Sequence, residues 1–252
     1  MTELVVRPLD TPEEMRAAVA LYREVFELSP TDPVVSPRLL ATLRMNGGSV
    51  IGAFADGDLA GFVYGFVGTQ DGVVYHFSQM ACVRSGMQGS GIGRALKLGQ
   101  RDFVLSTGLT EMRWAFDPVR AHNAHFNLDV LGARARWYVR DLFGVEEMGR
   151  DTGQGSDRLV MSWDLTVEPG PLVDAGAPAA VPGWAERAGD GDDVLFGVPA
   201  KWAELPAERA PELREAVYAG LRELYAAGYE AVSCRPSGPG AATAYYRLRR
   251  LP

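Results

Sequence analysis

The pattern of apolar and polar positions divides the start of the chain into a strand and two helices. The apolar run at residues 3–9 predicts a short strand. Thr11 then stands as a helix N-cap residue, with proline next to it and Glu14 where it completes a capping box. Apolar residues recur at helical spacing across residues 15–26. Prolines interrupt this pattern, and a shorter helix is predicted at residues 37–45.

The next segments predict a sheet with one crossover helix. Residues 49–68 form a predicted hairpin, because an Asp-Gly pair at 56–57 divides two apolar runs. The run at 73–83 predicts a third strand, and alternation at 111–118 predicts a fourth. Between them, apolar residues at helical spacing predict a helix over 91–107.

The second half of the chain predicts one more helix, two strands and a separate tail. The helix is expected at residues 122–132, and the strands follow it before residue 167. Residues 168–183 are rich in proline, glycine and alanine, which is typical of an exposed linker. Residues 184–252 then predict a small β-α-β-β extension. We therefore expect a main domain over 1–167, a linker over 168–183 and a C-terminal extension over 184–252.

Composition and charge narrow the classes of function. The net charge is -7 and no basic block is present, which argues against nucleic acid and anionic membranes as partners. The two cysteines lie far apart in sequence, so neither a disulfide scaffold nor a thiolate zinc site is expected. No apolar run reaches the ~20 residues that span a bilayer. We expect a cytoplasmic protein.

A glycine-rich segment separates the third predicted strand from the helix that follows it. Residues 88–94 read QGSGIGR, with glycine at 89, 91 and 93. The first N–H groups of a helix lack partners inside the helix, and glycines allow an anion to approach them. The segment therefore predicts a phosphate site, to which Arg94 and Lys97 add charge. The alternative is a glycine-rich corner that only permits close packing.

The spacing of this segment resembles that of a known superfamily. It matches neither a P-loop nor a dinucleotide fingerprint. The order Gln-x-x-Gly-x-Gly from Gln88 to Gly93, with Val83 five residues before it, resembles the pyrophosphate loop of the GNAT superfamily of acyl-CoA N-acyltransferases. The order of elements over residues 3–166 agrees. Residues 116–144 also look like a segment of a GNAT subgroup encoded beside N-acylamino-acid racemases, some of which are similar to amino-acid N-succinyltransferases.

The resemblance implies a fold and a set of coenzyme contacts. The fold is α/β, with a GNAT-like mixed central sheet and flanking helices. The strand before the loop splays from the next strand, and the gap admits the pantetheine arm of acyl-CoA. Carried over position by position, the pantetheine contacts are Met80, Ala81, Cys82 and Val83, and the pyrophosphate contacts are Gln88, Gly89, Ser90, Gly91, Ile92, Gly93 and Arg94.

The resemblance leaves the catalytic groups open. Family members with a base on this strand carry glutamate or histidine at positions that are Gln79 and Phe77 here, and neither side chain titrates. The usual tyrosine acid for the thiolate falls at Leu128. We therefore expect Gln79 to position a water that removes the amine proton. A thiol pKa of about 8.5 lets the thiolate leave without a side-chain acid.

Three polar residues beyond this strand are further candidates. Asp117 follows the fourth predicted strand and is a candidate base or amine ligand, although Asp before Pro is also a common turn, which we favour. Asn123 and Asn127 are four residues apart on a predicted helix and would share a face. We assign Asn127 to catalysis and Asn123 to coenzyme binding. A helix-capping role for Asn123 is equally supported.

The remaining reactive residue types have structural interpretations. His76 alternates with Gln79 along the strand and should face away from it. His122 and His125 lack a completing carboxylate, so no metal is expected. Cys82 lies in an apolar strand and should be a buried thiol. Trp114 is expected in the core.

The sequence thus predicts an enzyme that transfers an acyl group from acyl-CoA to a small-molecule amine. Acetyl-CoA and succinyl-CoA both fit as donors, and an amino acid is one expected acceptor. The alternatives are a CoA-binding module without catalysis and a protein-lysine acetyltransferase. For the tail we favour a homodimer interface or a lid over an extension of the sheet.

Overall fold

The computed structural model describes residues 3–146, 152–173 and 176–250. The chain divides into two compact units. The first extends to Trp114 and includes Asp164–Thr166, whereas the second takes in Ala115–Glu146, Gly153–Trp163 and the chain from Val167 onward. The domain boundaries expected at residues 167 and 184 remain predictions.

The first unit contains a mixed sheet in the strand order β1-β2-β3-β4-β5. Neighbouring strands from β1 to β4 are antiparallel, and β5 runs parallel to β4. This confirms the predicted α/β class with a mixed sheet and flanking helices. The elements of the first unit are β1 (Leu4–Pro8), α1 (Pro12–Val25), α2 (Pro37–Met45), β2 (Ser49–Ala55), β3 (Asp58–Gln70), β4 (Val73–Val83), α3 (Ile92–Ser106) and β5 (Glu111–Phe116).

Local signals fix where the first helices begin. Thr11 accepts a hydrogen bond from the backbone of Glu14, whose carboxylate accepts one from the Thr11 backbone, as a capping box requires. Ser36 caps α2 by accepting from Leu39 N at 3.1 Å. These two helices therefore start where the sequence predicts them.

Helices cover both faces of the sheet in the first unit. Residues of α1, α2 and one face of β2 and β3 form a core that includes Leu21, Leu40 and Phe62. The other face packs against α3 through a second cluster that includes Val63 and Leu96. Strands buried on both faces are apolar almost throughout, which explains the continuous runs in β2 and β3.

The second unit contains the strand order β7-β6-β10-β11-β9-β8. The C-terminal extension is β-β-α-β-β rather than the predicted β-α-β-β, because β8 was not predicted. β8 has no apolar alternation and is held by pairing with β9. The elements are α4 (Ala121–His125), β6 (Arg134–Val139), β7 (Arg158–Asp164), β8 (Arg187–Asp190), β9 (Asp193–Pro199), α5 (Ala210–Ala226), β10 (Tyr229–Pro236) and β11 (Thr243–Arg250).

Two further features of the second unit differ from the sequence prediction. The helix expected over 122–132 is α4 followed by a π-helical turn at Phe126–Val130. β10 pairs with β6 through Ala231 and Ala135, so the tail adds strands to a sheet that begins before the linker. No helix among residues 3–146, 152–173 and 176–250 is long and apolar enough to cross a membrane.

Candidate functional site

Strands β4 and β5 pair only briefly before they separate. Their parallel ladder consists of His76 with Met112 and Phe77 with Arg113, and no later pair joins them among the described residues. The next residue on each strand is Ser78 on β4 and Trp114 on β5. β4 then continues to Val83 without β5 as its neighbour. We call this point of separation, at Ser78 and Trp114, the apex.

A β-bulge lies in β4 directly after the apex. Met80 pairs with Tyr64 and Ser78 pairs with Gly65, so Gln79 has no partner on β3. Ser78 and Met80 would lie on the same side of a regular strand, but across the bulge they lie on opposite sides. Met80 packs with the core beneath α1, whereas Ser78 bonds to a residue of α3. Gln79 itself is exposed beside the apex.

The edge of β4 beyond the bulge offers free backbone groups. Arg84 N donates to Ala60 O at 2.8 Å, and hydrogen-bonded pairs alternate along an antiparallel ladder. Cys82 therefore bonds to β3, while Ala81 and Val83 direct their backbone groups away from β3. The Val83 carbonyl accepts from Gln88 Nε2 at 3.3 Å. An extended ligand arm can pair with the remaining groups as a strand would.

The side chains of the predicted pantetheine segment divide between core and surface. Ala81 is exposed, while Met80 and Val83 are half-buried. The Cys82 thiol is buried, as expected, and this burial raises its pKa to about 12. Cys82 is therefore protonated at neutral pH and is not a nucleophile here.

The glycine loop after β4 adopts the conformation that its glycines favour. Gly89 has φ 79° and Gly91 has φ 89°, both in the left-handed region. Gly91 is the N-cap residue of α3, which has no side-chain cap. Gln88–Gly91 are exposed, and Ser90 Oγ donates to Met87 O at 2.6 Å within the loop.

The backbone N–H groups of this loop are available to a ligand. Within the described chain, none of those from Gln88 to Arg94 donates to another protein atom. They lie at the N-terminus of a 15-residue helix, where the helix dipole favours an anion. Arg94 is exposed in the first turn and adds a positive charge. The arrangement can bind a phosphate or diphosphate group.

Lys97 does not lie beside the glycine loop, as its position near the start of α3 predicted. Instead of adding charge to the loop, its side chain is buried beneath the sheet and reaches the apex. Lys97 Nζ donates to Ser78 Oγ at 2.7 Å and lies 4.1 Å from the centre of the Trp114 ring. Burial lowers the pKa of Lys97 from 10.5 to about 7. Trp114 is in the core, as predicted, but it also contacts this amine.

A buried polar network continues from Lys97 into the unit. Ser78 Oγ donates to Gln100 Oε1, and Gln100 Nε2 donates to Ser49 Oγ, each at 2.8 Å. Ser49 Oγ lies 2.8 Å from His76 Nε2. Burial and the charge of Lys97 lower the pKa of His76 to about 4. His76 thus faces away from Gln79 and has a structural environment, as its position in the strand predicted.

The spacing of polar residues along α3 is a signal in the sequence for this network. Lys97, Gln100 and Val104 are spaced at i, i+3 and i+7, so they share one face of α3. Val104 and Leu96 mark that face as buried. Two long polar side chains on the buried stripe of an amphipathic helix indicate a buried polar contact.

Asp117 lies in the second unit, and its carboxylate is engaged there. It accepts hydrogen bonds from Arg214 Nη1 at 2.8 Å and from Val119 N at 3.1 Å. Tyr218 Oη also donates to it at 3.3 Å. This environment agrees with the turn interpretation, and a catalytic role for Asp117 remains a prediction.

The two asparagines of the second unit have different environments. Asn123 is exposed on α4, whereas Asn127 is 4% exposed. They do not share one face as expected, because the helix widens into a π-turn between them. Asn123 also does not cap the helix, which begins at Ala121 with Arg120 as its N-cap residue. The coenzyme and catalytic roles of the two asparagines remain predictions.

Comparisons with known proteins give matches among solved structures only. No protein-family model and no curated protein sequence matches the chain. A GNAT-family acetyltransferase from Streptococcus pneumoniae has 18% identity and a TM-score of 0.49, covering 64% of this chain and 98% of its own.

Two further solved structures are similar at the same level. The ribosomal-protein-S18-alanine N-acetyltransferase of Escherichia coli has 18% identity and a TM-score of 0.46, covering 65% of this chain and 94% of its own. The protein yncA of Salmonella typhimurium, solved with acetyl-CoA, has 20% identity and a TM-score of 0.47, covering 70% of this chain and 98% of its own. At such values the similarity assigns no activity to this chain.

Proposed function

We propose that this protein is a CoA-dependent N-acyltransferase that acts on a small-molecule amine. The observation that carries the proposal is the continuous ligand path along one edge of β4. It begins at the apex, follows the backbone groups of Ala81 and Val83 that point away from β3, and ends at the free N–H groups of Gln88–Arg94. Acyl-CoA has a thioester, an amide-containing arm and a diphosphate in the same order.

Each part of the path has a chemical counterpart in acyl-CoA. The diphosphate occupies the loop, where helix N–H groups and Arg94 stabilise its charge. The two amides of the pantetheine arm pair with Ala81 and Val83. The thioester then lies beside Ser78 and Gln79, near the point where β4 and β5 separate.

The proposed reaction is a direct transfer within a ternary complex. The acceptor nitrogen attacks the thioester carbonyl, the N–C bond forms and the C–S bond breaks. The electron pair of the C–S bond leaves on sulfur, and one amine proton must reach that sulfur. Gln79 is exposed at the apex and can orient the acceptor or a water, but its amide cannot take the proton.

The acceptor and the donor belong to broad classes. We propose a small amine such as an amino acid as the acceptor and acetyl-CoA or succinyl-CoA as the donor. The homodimer, the cytoplasmic location and the role of the tail as a dimer interface or lid remain predictions.

A second candidate function is a CoA-binding module without catalysis. It is favoured by Gln79 and Phe77, since neither side chain at the expected base positions titrates. Thiol release from acetyl-CoA and succinyl-CoA across a panel of amines, together with calorimetry of CoA, separates the two functions. Turnover with any amine supports the transferase, CoA binding without turnover supports the module, and no CoA binding contradicts both.

Gly93 allows a test of the diphosphate position that spares the fold. An added Cβ at Gly93 would have Val83 Cγ2 as its nearest neighbour at 3.9 Å, an ordinary contact. Helical Cβ atoms point toward the N-terminus, which here is the proposed anion site. Gly93→Ala should therefore weaken CoA binding by about tenfold or more, or ~1.4 kcal/mol.

The matched control for this variant is Gly238→Ala. Gly238 lies outside the loop and has open space around its Cβ position. Calorimetry should give wild-type CoA affinity for this control, and both variants should melt as the wild type does. Unchanged affinity in Gly93→Ala would place the diphosphate elsewhere.

A further inference from the structure

Lys97 bridges the two strands at the apex. It is one of only two lysines in the sequence, the other being Lys201, and the residue is 5% exposed. Its Nζ contacts Ser78 on β4 at 2.7 Å and the Trp114 ring on β5 at 4.1 Å. These are the first residues beyond the last ladder pair. The amine therefore lies where the proposed path for acyl-CoA begins.

Within residues 3–146, 152–173 and 176–250, no carboxylate lies within ion-pair distance of Lys97 Nζ. Around it, β2 contributes Ser49 to the network and β4 contributes His76. On β5, Arg113 and Glu111 pair with each other and alternate with Trp114, so they point to the opposite side. On α3, Arg94 is exposed and Arg101 donates to Leu165 O. A buried amine with these neighbours favours its neutral form.

The polar network holds this amine in one orientation. Ser78 gives its hydroxyl proton to Gln100, so it presents a lone pair to Lys97. Gln100 in turn donates to Ser49, which leaves the Ser49 proton for His76 Nε2. Each donor thus points away from Lys97. Besides Ser78 and the Trp114 ring, the ammonium has one N–H with no acceptor within the described part of the chain.

From this geometry we infer that Lys97 carries the proton of the proposed acyl transfer. The inference rests on the proposed function. The neutral Lys97 amine accepts a proton from the acceptor nitrogen as the N–C bond forms. The C–S bond breaks, its electron pair leaves on sulfur, and the Lys97 ammonium returns the same proton to the CoA thiolate. Lys97 is unchanged at the end of the cycle.

A single group that accepts a proton and then returns it serves as both the base and the acid, the two roles that the side chains of Gln79 and Leu128 cannot fill. A base works best when its pKa is near the pH of the reaction, and the buried Lys97 has a pKa of about 7. A thiol has a pKa of about 8.5, so transfer from this ammonium to the thiolate is favourable. Without burial, lysine would be protonated at neutral pH and could not accept the first proton.

The substitution Lys97→Met in the full-length protein tests whether Lys97 carries the proton. Methionine keeps the length and apolar contact with Trp114 but cannot carry a proton. We expect kcat to fall by about a hundredfold or more, with CoA affinity unchanged. The wild-type kcat should decline below about pH 7, where Lys97 is protonated, and this acidic limb should be absent from the residual activity of the variant. Lys201→Met, at an exposed site, is the control and should behave as wild type.

A measurement on the wild-type protein does not depend on the variant folding. Carbon-13-labelled lysine gives two side-chain signals in NMR spectra, one from Lys97 and one from Lys201 as an internal reference. We expect one signal to titrate near pH 7 and to shift when CoA binds. Titration of Lys97 above about pH 9 would overturn the inference.

The kinetic outcomes separate this inference from the proposed function. If the wild type turns over and Lys97→Met retains its kcat and its acidic limb, the inference is wrong and the proposed function stands. If the wild type binds CoA but acylates no amine, the proposed function is wrong and the inference falls with it. A loss of kcat without loss of CoA affinity supports both.

Discussion

A lysine amine that loses its hydration on folding is destabilised in its charged form. In Lys97 the pKa falls from 10.5 to about 7, so the native state releases a proton that the unfolded state keeps. Between these two values the unfolded state binds more protons, and the free energy of unfolding rises with pH. Below about pH 7 both states hold the proton, and Lys97 contributes no further pH dependence.

The lowered pKa of Lys97 therefore predicts a measurable change in the free energy of unfolding with pH. From pH 7 to pH 9 the wild type should gain about 2 kcal/mol of unfolding free energy from Lys97. Lys97→Met lacks this gain, and other titrating groups cancel in the difference between the two proteins. Urea unfolding at both pH values measures it. An equal pH response in wild type and variant would contradict the burial of this amine.

At the scale of elements, the bulge in β4 joins the network to the open strand edge. In a regular strand without the bulge, Ser78 would lie on the same side as Met80 and Cys82, facing α1. The bulge turns Ser78 toward α3, where Gln100 and Lys97 meet it. It also exposes Gln79 at the apex. The bulge thus sets both the environment of the Lys97 amine and the exposure of Gln79 at the apex.

The loop between β4 and α3 makes a separate prediction, because two of its glycines differ in conformation. Gly91 has φ 89°, which costs an alanine about 1–2 kcal/mol, whereas Gly93 has no positive φ. Gly91→Ala should therefore lower both the unfolding free energy and the CoA affinity. Gly93→Ala should lower the affinity alone. Urea unfolding and calorimetry on the two variants check this, and equal stability would show that the loop does not need a left-handed residue at 91.

The sequence predicted elements better than it predicted contacts. Periodicity and caps located β4 and placed α1 and α3 to within a residue or two, because these signals are local. The bulge at Gln79 depends on the register with β3, which no single segment encodes. The loop motif predicted the anion site, but Lys97 was misplaced because its role depends on the strands that α3 covers. β8 was missed since pairing, not pattern, defines it.

At the scale of the whole molecule, two distant stretches of chain build the second unit. Asp129 precedes the predicted linker in the sequence, and its carboxylate is buried. Three groups of the tail donate to it: Ser233 Oγ at 2.7 Å, Cys234 N at 2.8 Å and Arg235 Nε at 2.7 Å. Burial opposes ionisation of Asp129, but these bonds and one from His125 lower its pKa. The tail therefore supplies the groups that allow this carboxylate to be charged in the core.

Truncation after residue 183 tests whether the predicted main domain folds without its tail. The shortened chain loses β10, the neighbour of β6, and leaves Asp129 without three of its four hydrogen-bond partners. An unpaired buried carboxylate alone costs about 3–5 kcal/mol, a large part of the stability of a typical domain. We expect the truncated protein to lose its cooperative thermal transition, measured by circular dichroism beside the full-length chain. If it melted cooperatively at the wild-type temperature, residues 1–167 would be an independent domain and the tail an accessory to it.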